Sequence, residues 1–197
     1  METGFSAPTA EARAELREKG SRFLAIVAPA VDEQAAKALI EATRKRHTDA
    51  SHVCWAWRLG MPAQERFTDA GEPAGTAGLP ILQVLRGREI SDAVAIAVRW
   101  FGGVKLGKGG LARAYAGAAR LAVEELPLSA RVPRTRLVLN LPYERVGGVK
   151  RLVHPPDIEL VEQEYGEWVR IVLSVIDPRL KELEDALAEL GVAVDRD

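Results

Sequence analysis

Between residues 93 and 123 an almost unbroken apolar run, Ala93–Trp100, passes through a loop with five glycines in nine residues into a stripe of Leu111, Tyr115, Ala118, Ala119 and Ala122. The apolar run predicts a buried strand. The stripe, with its spacing of three and four, predicts a helix with one buried face. A strand–glycine loop–helix unit of this kind belongs to a mixed α and β fold. With 47% hydrophobic and 28% charged residues, the chain is neither disordered, collagen-like nor a coiled coil. Its 197 residues allow one large domain or two small ones.

No apolar run approaches the ~20 residues of a membrane helix. Glu2, Glu11 and Glu15 near the N-terminus, with no basic segment before an apolar core, do not read as a secretory leader. The one cysteine, Cys54, has no partner for a disulfide, which points to a reducing, cytoplasmic setting. The net charge of −1 gives no whole-chain field for nucleic acid, so such a contact must rest on a local patch.

A seam lies at residues 124–133, where Pro127 and Pro133 stop one helix and block the next. It divides the chain into domains at 1–130 and 131–197. The first carries 17 Lys and Arg against 15 Asp and Glu; the second carries 10 against 13. In the first half, strands are expected at 22–28, 53–59, 64–68 and 93–100, with a hairpin at Gly60-Met61-Pro62. Helices are expected after an Asp32 N-cap, at 79–86, and at 110–126. The second half reads strand, helix, strand, strand, helix, strand. Its strands fall at 136–141, 158–164, 168–176 and 192–194. Asp177 is expected to cap the last helix, with Pro178 in its first turn and Gly191 at its end. That βαββαβ order predicts a ferredoxin-like domain. The fold class is therefore α+β in two domains.

The glycine-rich loop carries the strongest functional signal. Residues 93–123 hold five basic side chains, Arg99, Lys105, Lys108, Arg113 and Arg120, and no acid. Glycines let backbone approach a ligand, and free N–H groups at a helix start suit an anion. The competing explanation is a tight turn packed on the sheet. The first points to phosphate or nucleic-acid binding by Arg99, Gly102, Gly103, Lys105, Gly107, Lys108, Gly109, Gly110 and Arg113. Gly102-x4-Gly107-Lys108 opens like a Walker A loop, but Gly109 stands where Ser or Thr must bind magnesium. Gly107-x-Gly109-x-x-Ala112 matches a dinucleotide fingerprint, yet Glu124 and Glu125 lie at a helix end rather than a strand tip.

A second loop, residues 68–78, offers Asp69, Glu72 and Thr76. The two carboxylates suit a hard cation or acid–base work. Alternatively, Asp69 shapes a turn and Thr76 caps the next helix. His52 and Cys54, two apart on one strand face, would need His47 as a third metal ligand, and the spacing is no recognised zinc pattern. Neither a metal nor a cofactor is expected. Trp55 and Trp57 share a strand face and read more simply as core than as base-stacking platforms.

Residues 67–78, Phe-Thr-Asp-Ala-Gly-Glu-Pro-Ala-Gly-Thr-Ala-Gly, together with Val98-Arg99-Trp100-Phe101-Gly102-Gly103, Leu106-Gly107-x-Gly109-Gly110-Leu111 and Arg113-Ala114-Tyr115, closely resemble the IMPACT/YigZ family. Ser21-Arg22-Phe23 and His52-x-Cys54-x-Ala56 fit its earlier blocks. Ala70 stands where many members have a second Asp, which weakens a two-carboxylate site. The resemblance implies a βαβ first domain similar to domain four of elongation factor G and to the second domain of a small-subunit ribosomal protein, with the ferredoxin-like half similar to domain five of that factor. It also implies a link to translational control, in which eukaryotic relatives act. The leading expectation is a cytoplasmic protein that binds RNA or the ribosome through the basic loop. The alternatives are an enzyme acting on a small phosphorylated or anionic substrate between the two glycine-rich loops, and a module that docks a protein partner on its C-terminal sheet.

Overall fold

The computed structural model describes residues 4–196. Met1–Thr3, which include the Glu2 weighed above, and Asp197 lie outside the described residues. The described residues divide into two compact units, Phe5–Arg131 and Gly4 with residues 132–196.

The larger unit contains β1 (Phe5–Pro8), β2 (Ala12–Glu18), β3 (Ser21–Pro29), α1 (Glu33–Arg46), β4 (His52–Leu59), β5 (Gln64–Thr68), α2 (Gly78–Gly87), β6 (Ala93–Trp100), α3 (Gly107–Glu124) and β7 (Leu128–Arg131). Five strands form an antiparallel sheet in the order β2-β3-β6-β4-β5, and β1 pairs separately with β7. Side chains alternate between the sheet's faces. Phe23, Ala25, Val27, Cys54, Ala56, Ala93, Ala95 and Ala97 face α2 and α3. Ile26, Ala28, Trp57, Leu59, Val94 and Ile96 face α1. With both faces covered, β6 is the continuous apolar run that its sequence predicts. Asp32 caps α1 by accepting from the Ala35 N–H at 2.7 Å.

Four features of this unit depart from the expected elements. Strands β1 and β2 occupy segments read as no element, and β7 lies inside the seam. Helix α3 begins at Gly107, three residues before the expected start. The entry residue Gly107 has φ +69°, a conformation that glycine adopts without strain.

The smaller unit contains β8 (Arg134–Leu141), α4 (Tyr143–Lys150), β9 (Ile158–Tyr165), β10 (Val169–Ile176), α5 (Asp177–Glu189) and β11 (Val194–Arg196). Its antiparallel sheet has the order β11-β8-β10-β9, that is, fourth, first, third, second, which is the ferredoxin-like arrangement. One face packs on the helices through Leu137, Leu139, Leu141, Ile171, Leu173, Leu183 and Leu187. Asp177 is the first residue of α5 rather than its cap, and its carboxylate accepts from the Thr135 hydroxyl at 2.9 Å. Gly191, at φ +63°, follows the last turn as expected.

Candidate functional site

The two glycine-rich loops meet over the α2/α3 face of the larger sheet, because β4 and β6 are neighbours there. His52 pairs with Arg99 and Cys54 with Ala97 across the ladder. Residues at odd positions of β6 point toward α3, so Arg99 follows Ala95 and Ala97 inward. Arg99 is only 5% exposed. Its guanidinium sits 5.5 Å from the ring centres of both Phe23 and Phe101. Its Nη1 donates to Glu72 Oε1 at 2.6 Å, and Nη2 to the Ser21 hydroxyl at 3.4 Å. Tyr115 of α3 donates its hydroxyl to the same Glu72 oxygen at 2.7 Å. Arg99 is thus not a free surface cation, and Glu72 is not a free acid: each holds the other in a buried pair.

The second loop is built around Asp69. Its carboxylate accepts from the N–H groups of Gly75 at 2.8 Å, Ala77 at 2.8 Å and Gly78 at 2.9 Å. Partial burial works to raise this carboxyl's pKa, but the backbone donors of Gly75, Ala77, Gly78 and Thr76 outweigh it and hold it below its ordinary value. Asp69 therefore caps α2 from eight residues upstream. Thr76 does not: its hydroxyl donates to the Pro73 carbonyl at 2.6 Å. The carbonyls of this loop are tied to β4. Cys54 donates to Asp69 O at 3.0 Å, and His52 Nδ1 lies 3.0 Å from Ala70 O. Burial pushes the Cys54 thiol up to about 12, so it is a packed thiol rather than a nucleophile. Burial also pushes the Tyr115 phenol well above its ordinary value. His47 lies on the other sheet face, edge-on to Trp100 at 5.4 Å, away from His52 and Cys54. Among the described residues no three His, Cys, Asp or Glu side chains converge on a point.

The first loop has a split character. Gly102 is structural: a Cβ there would lie 1.8 Å from the Gly20 carbonyl carbon. Its N–H donates to the Ser21 hydroxyl at 3.2 Å, which gives Ser21 a role that sequence reasoning missed. Gly103, at φ +86°, and Gly107 turn the backbone. Lys105, Gly107 and Lys108 then line a cavity of about 390 Å³, together with Glu72, Pro73, Arg99, Phe101, Leu106 and Leu111. Phe101 is half-exposed at its edge. No acidic side chain pairs with Lys105 or Lys108 among the described residues, and no side chain caps the start of α3. Arg113 does not join them. With Gly110 it lines a separate cavity of about 260 Å³ bounded by Leu16, Glu18 and Lys19.

In the smaller unit the sheet face opposite the helices is charged. Arg136 and Arg170 each lie 3.0 Å from Glu162 across it. No helix among the described residues is long and apolar enough to cross a membrane.

Fold and site together define a two-domain α+β protein with a basic, loop-lined cavity in its larger unit. Residues 19–123 match the Impact N-terminal domain. The chain is 35% identical to the IMPACT family member YigZ of Escherichia coli (strain K12), over 88% of this chain and 86% of that one. It is 38% identical to an IMPACT family member of Thermus thermophilus, over 84% and 92% of the two chains. The crystal structure of a hypothetical protein, 32% identical, superposes over 98% of this chain and 97% of its own with a TM-score of 0.74. The chain belongs to the IMPACT family.

Proposed function

We propose that this protein binds RNA, free or in the ribosome, in the cytoplasm, and that this binding serves translation or its control. The observation that carries the reading is the cavity rim. Two lysines without acidic partners, an uncapped helix start and a half-exposed phenylalanine lie around one opening. Lysines and free N–H groups suit phosphates, and an exposed ring suits a base. Membership of the IMPACT family supports the link to translation, because the family's eukaryotic members act in translational control.

Catalysis on a small anionic substrate is the weaker reading. The acids and the thiol that could serve it each have partners, Glu72 through one of its two oxygens. Asp69 holds three backbone donors, Glu72 holds Arg99 and Tyr115, and Cys54 is a buried neutral thiol. A protein partner on the C-terminal sheet would meet the Arg136–Glu162–Arg170 ion pairs, with Val161, Tyr165 and Trp168 exposed along the β9–β10 hairpin.

The test is RNA affinity as a function of salt for the wild type and the Lys105→Ala/Lys108→Ala variant. Each lysine on a phosphate contributes about 1 to the slope of log affinity against log salt, so the variant should bind several RNA sequences more weakly and with a shallower slope by about 2. An unchanged affinity and slope would reject the site. Co-sedimentation with ribosomes at ~0.1 M salt, where screening acts over ~10 Å, separates ribosomal from free RNA as the target.

A further inference from the structure

We propose that the cavity seats one unstacked nucleotide of a single-stranded RNA, its base against Phe101 and its phosphate at Lys105, Lys108 and the first turn of α3. The proposal rests on the RNA-binding reading and specifies its ligand. Four observations carry it.

The first is size. A cavity of about 390 Å³ lies at the small end of ligand pockets. That volume is on the scale of one nucleotide, and a duplex, whose bases are stacked and turned inward, offers no single base to fill it.

The second is the wall. Phe101 is 50% exposed at the opening, and Pro73, Leu106 and Leu111 continue an apolar surface behind it. Sequence-specific contacts to RNA fall on splayed bases stacked on such aromatic rings, not on paired ones.

The third is the floor. Arg99 is 95% buried by its 5% exposure, lines the cavity, and leaves Nε without a partner. Both hydrogen bonds to Glu72 end on Oε1, and no described residue donates to its Oε2. A buried donor without an acceptor is costly. A base edge carries donors and acceptors together, so it offers partners to a guanidinium and a carboxylate side by side.

The fourth is Gly109. Gly102 is required by the close approach to Gly20, and Gly103 and Gly107 by positive φ. A Cβ at Gly110 would press on Leu106 at 3.1 Å. Gly109 has none of these reasons: a Cβ there would meet only the Arg113 guanidinium tip, at an ordinary 3.5 Å. Glycine inside a helix is destabilising relative to alanine. Folding alone therefore favours alanine at this position. Gly109 does not itself line the cavity; it lies one residue on from the cavity-lining Lys108 with the Arg113 guanidinium beside it, so this turn presents its backbone and a cation to a phosphate held at Lys108.

The experiment measures binding of the four nucleoside 5′-monophosphates, a short single-stranded RNA and a duplex of equal length to the full chain. It also records thermal midpoints, so that folding and binding are read separately. The proposal expects saturable binding of at least one monophosphate that competes with the single strand, and poor competition by the duplex. Phe101→Ala should weaken single-strand binding about tenfold with little change in midpoint, and Phe101→Trp should restore it. Gly109→Ala should raise the midpoint while weakening binding about tenfold. Equal affinity for duplex and single strand, or full affinity in both Phe101→Ala and Gly109→Ala, overturns the nucleotide pocket. If Lys105→Ala/Lys108→Ala still weakens binding in that case, the RNA-binding reading survives alone. Absence of RNA binding by the wild type overturns both.

Discussion

Three backbone N–H groups converge on Asp69, and its carboxylate is thereby the fastener of the second glycine-rich loop. Because these donors hold its folded-state pKa below the ordinary value, its contribution is complete above that ordinary value. It is lost as pH falls toward and through the folded value. Asp69→Ala leaves three donors unanswered and should cost on the order of 1–3 kcal/mol. Urea unfolding from pH 7 down to pH 3 should show the variant's deficit shrinking with acid; a constant deficit would sink the assignment. The neighbouring Ala70 has φ +45°, which an alanine adopts at a cost of roughly 1 kcal/mol, whereas Asn, Asp and Gly tolerate it. Ala70→Asn should therefore raise the thermal midpoint. None of this was legible in the sequence beyond the choice between a turn-shaping and a chemical Asp69. A carboxylate that reaches N–H groups six to nine residues ahead leaves no short-range signature.

At the scale of elements, strand β6 was legible to its ends because burial on both faces writes an unbroken apolar run. The ferredoxin-like order followed from periodicity, one hairpin turn and the Pro178–Gly191 bracket of α5. Strand β2 alternates small or apolar with charged residues, Ala12-Arg13-Ala14-Glu15-Leu16, so its signal was present in the period of two. Its charged face interrupts any apolar run of the kind that marks β6, and the segment is assigned no element. Arg99 shows the same period of two: its parity with Ala95 and Ala97 points it into the core, and it lines the cavity from the buried side rather than as a surface cation. The loop's five glycines hid different constraints that only packing separates. Gly102→Ala puts a Cβ against backbone at 1.8 Å, where nothing flexible can yield. It should lower the midpoint by about 10 °C or more, as a loss of roughly 3 kcal/mol does in a domain of this size. An unchanged midpoint would mean that the Gly20–Gly102 approach is not a fixed part of the fold.

At the scale of the whole molecule, each unit closes its own hydrophobic core. The larger has one cluster on each face of its sheet, and the smaller has a single cluster between its sheet and helices. The basic cavity belongs wholly to the first, so the chemistry proposed here needs only that unit's core to be intact. The consequence is measurable in the full chain. Leu187 is fully buried in the smaller core, and truncating such a leucine costs about 2–5 kcal/mol. In Leu187→Ala, amide exchange in β8, β10 and α5 should speed up by roughly 30-fold or more, the equivalent of about 2 kcal/mol. Amides of β6 and α3 should keep their wild-type protection, and RNA affinity should not change. Equal loss of protection in both units would show instead that the two cores open as one cooperative structure. The cavity would then depend on the ferredoxin-like unit even though no residue of that unit lines it.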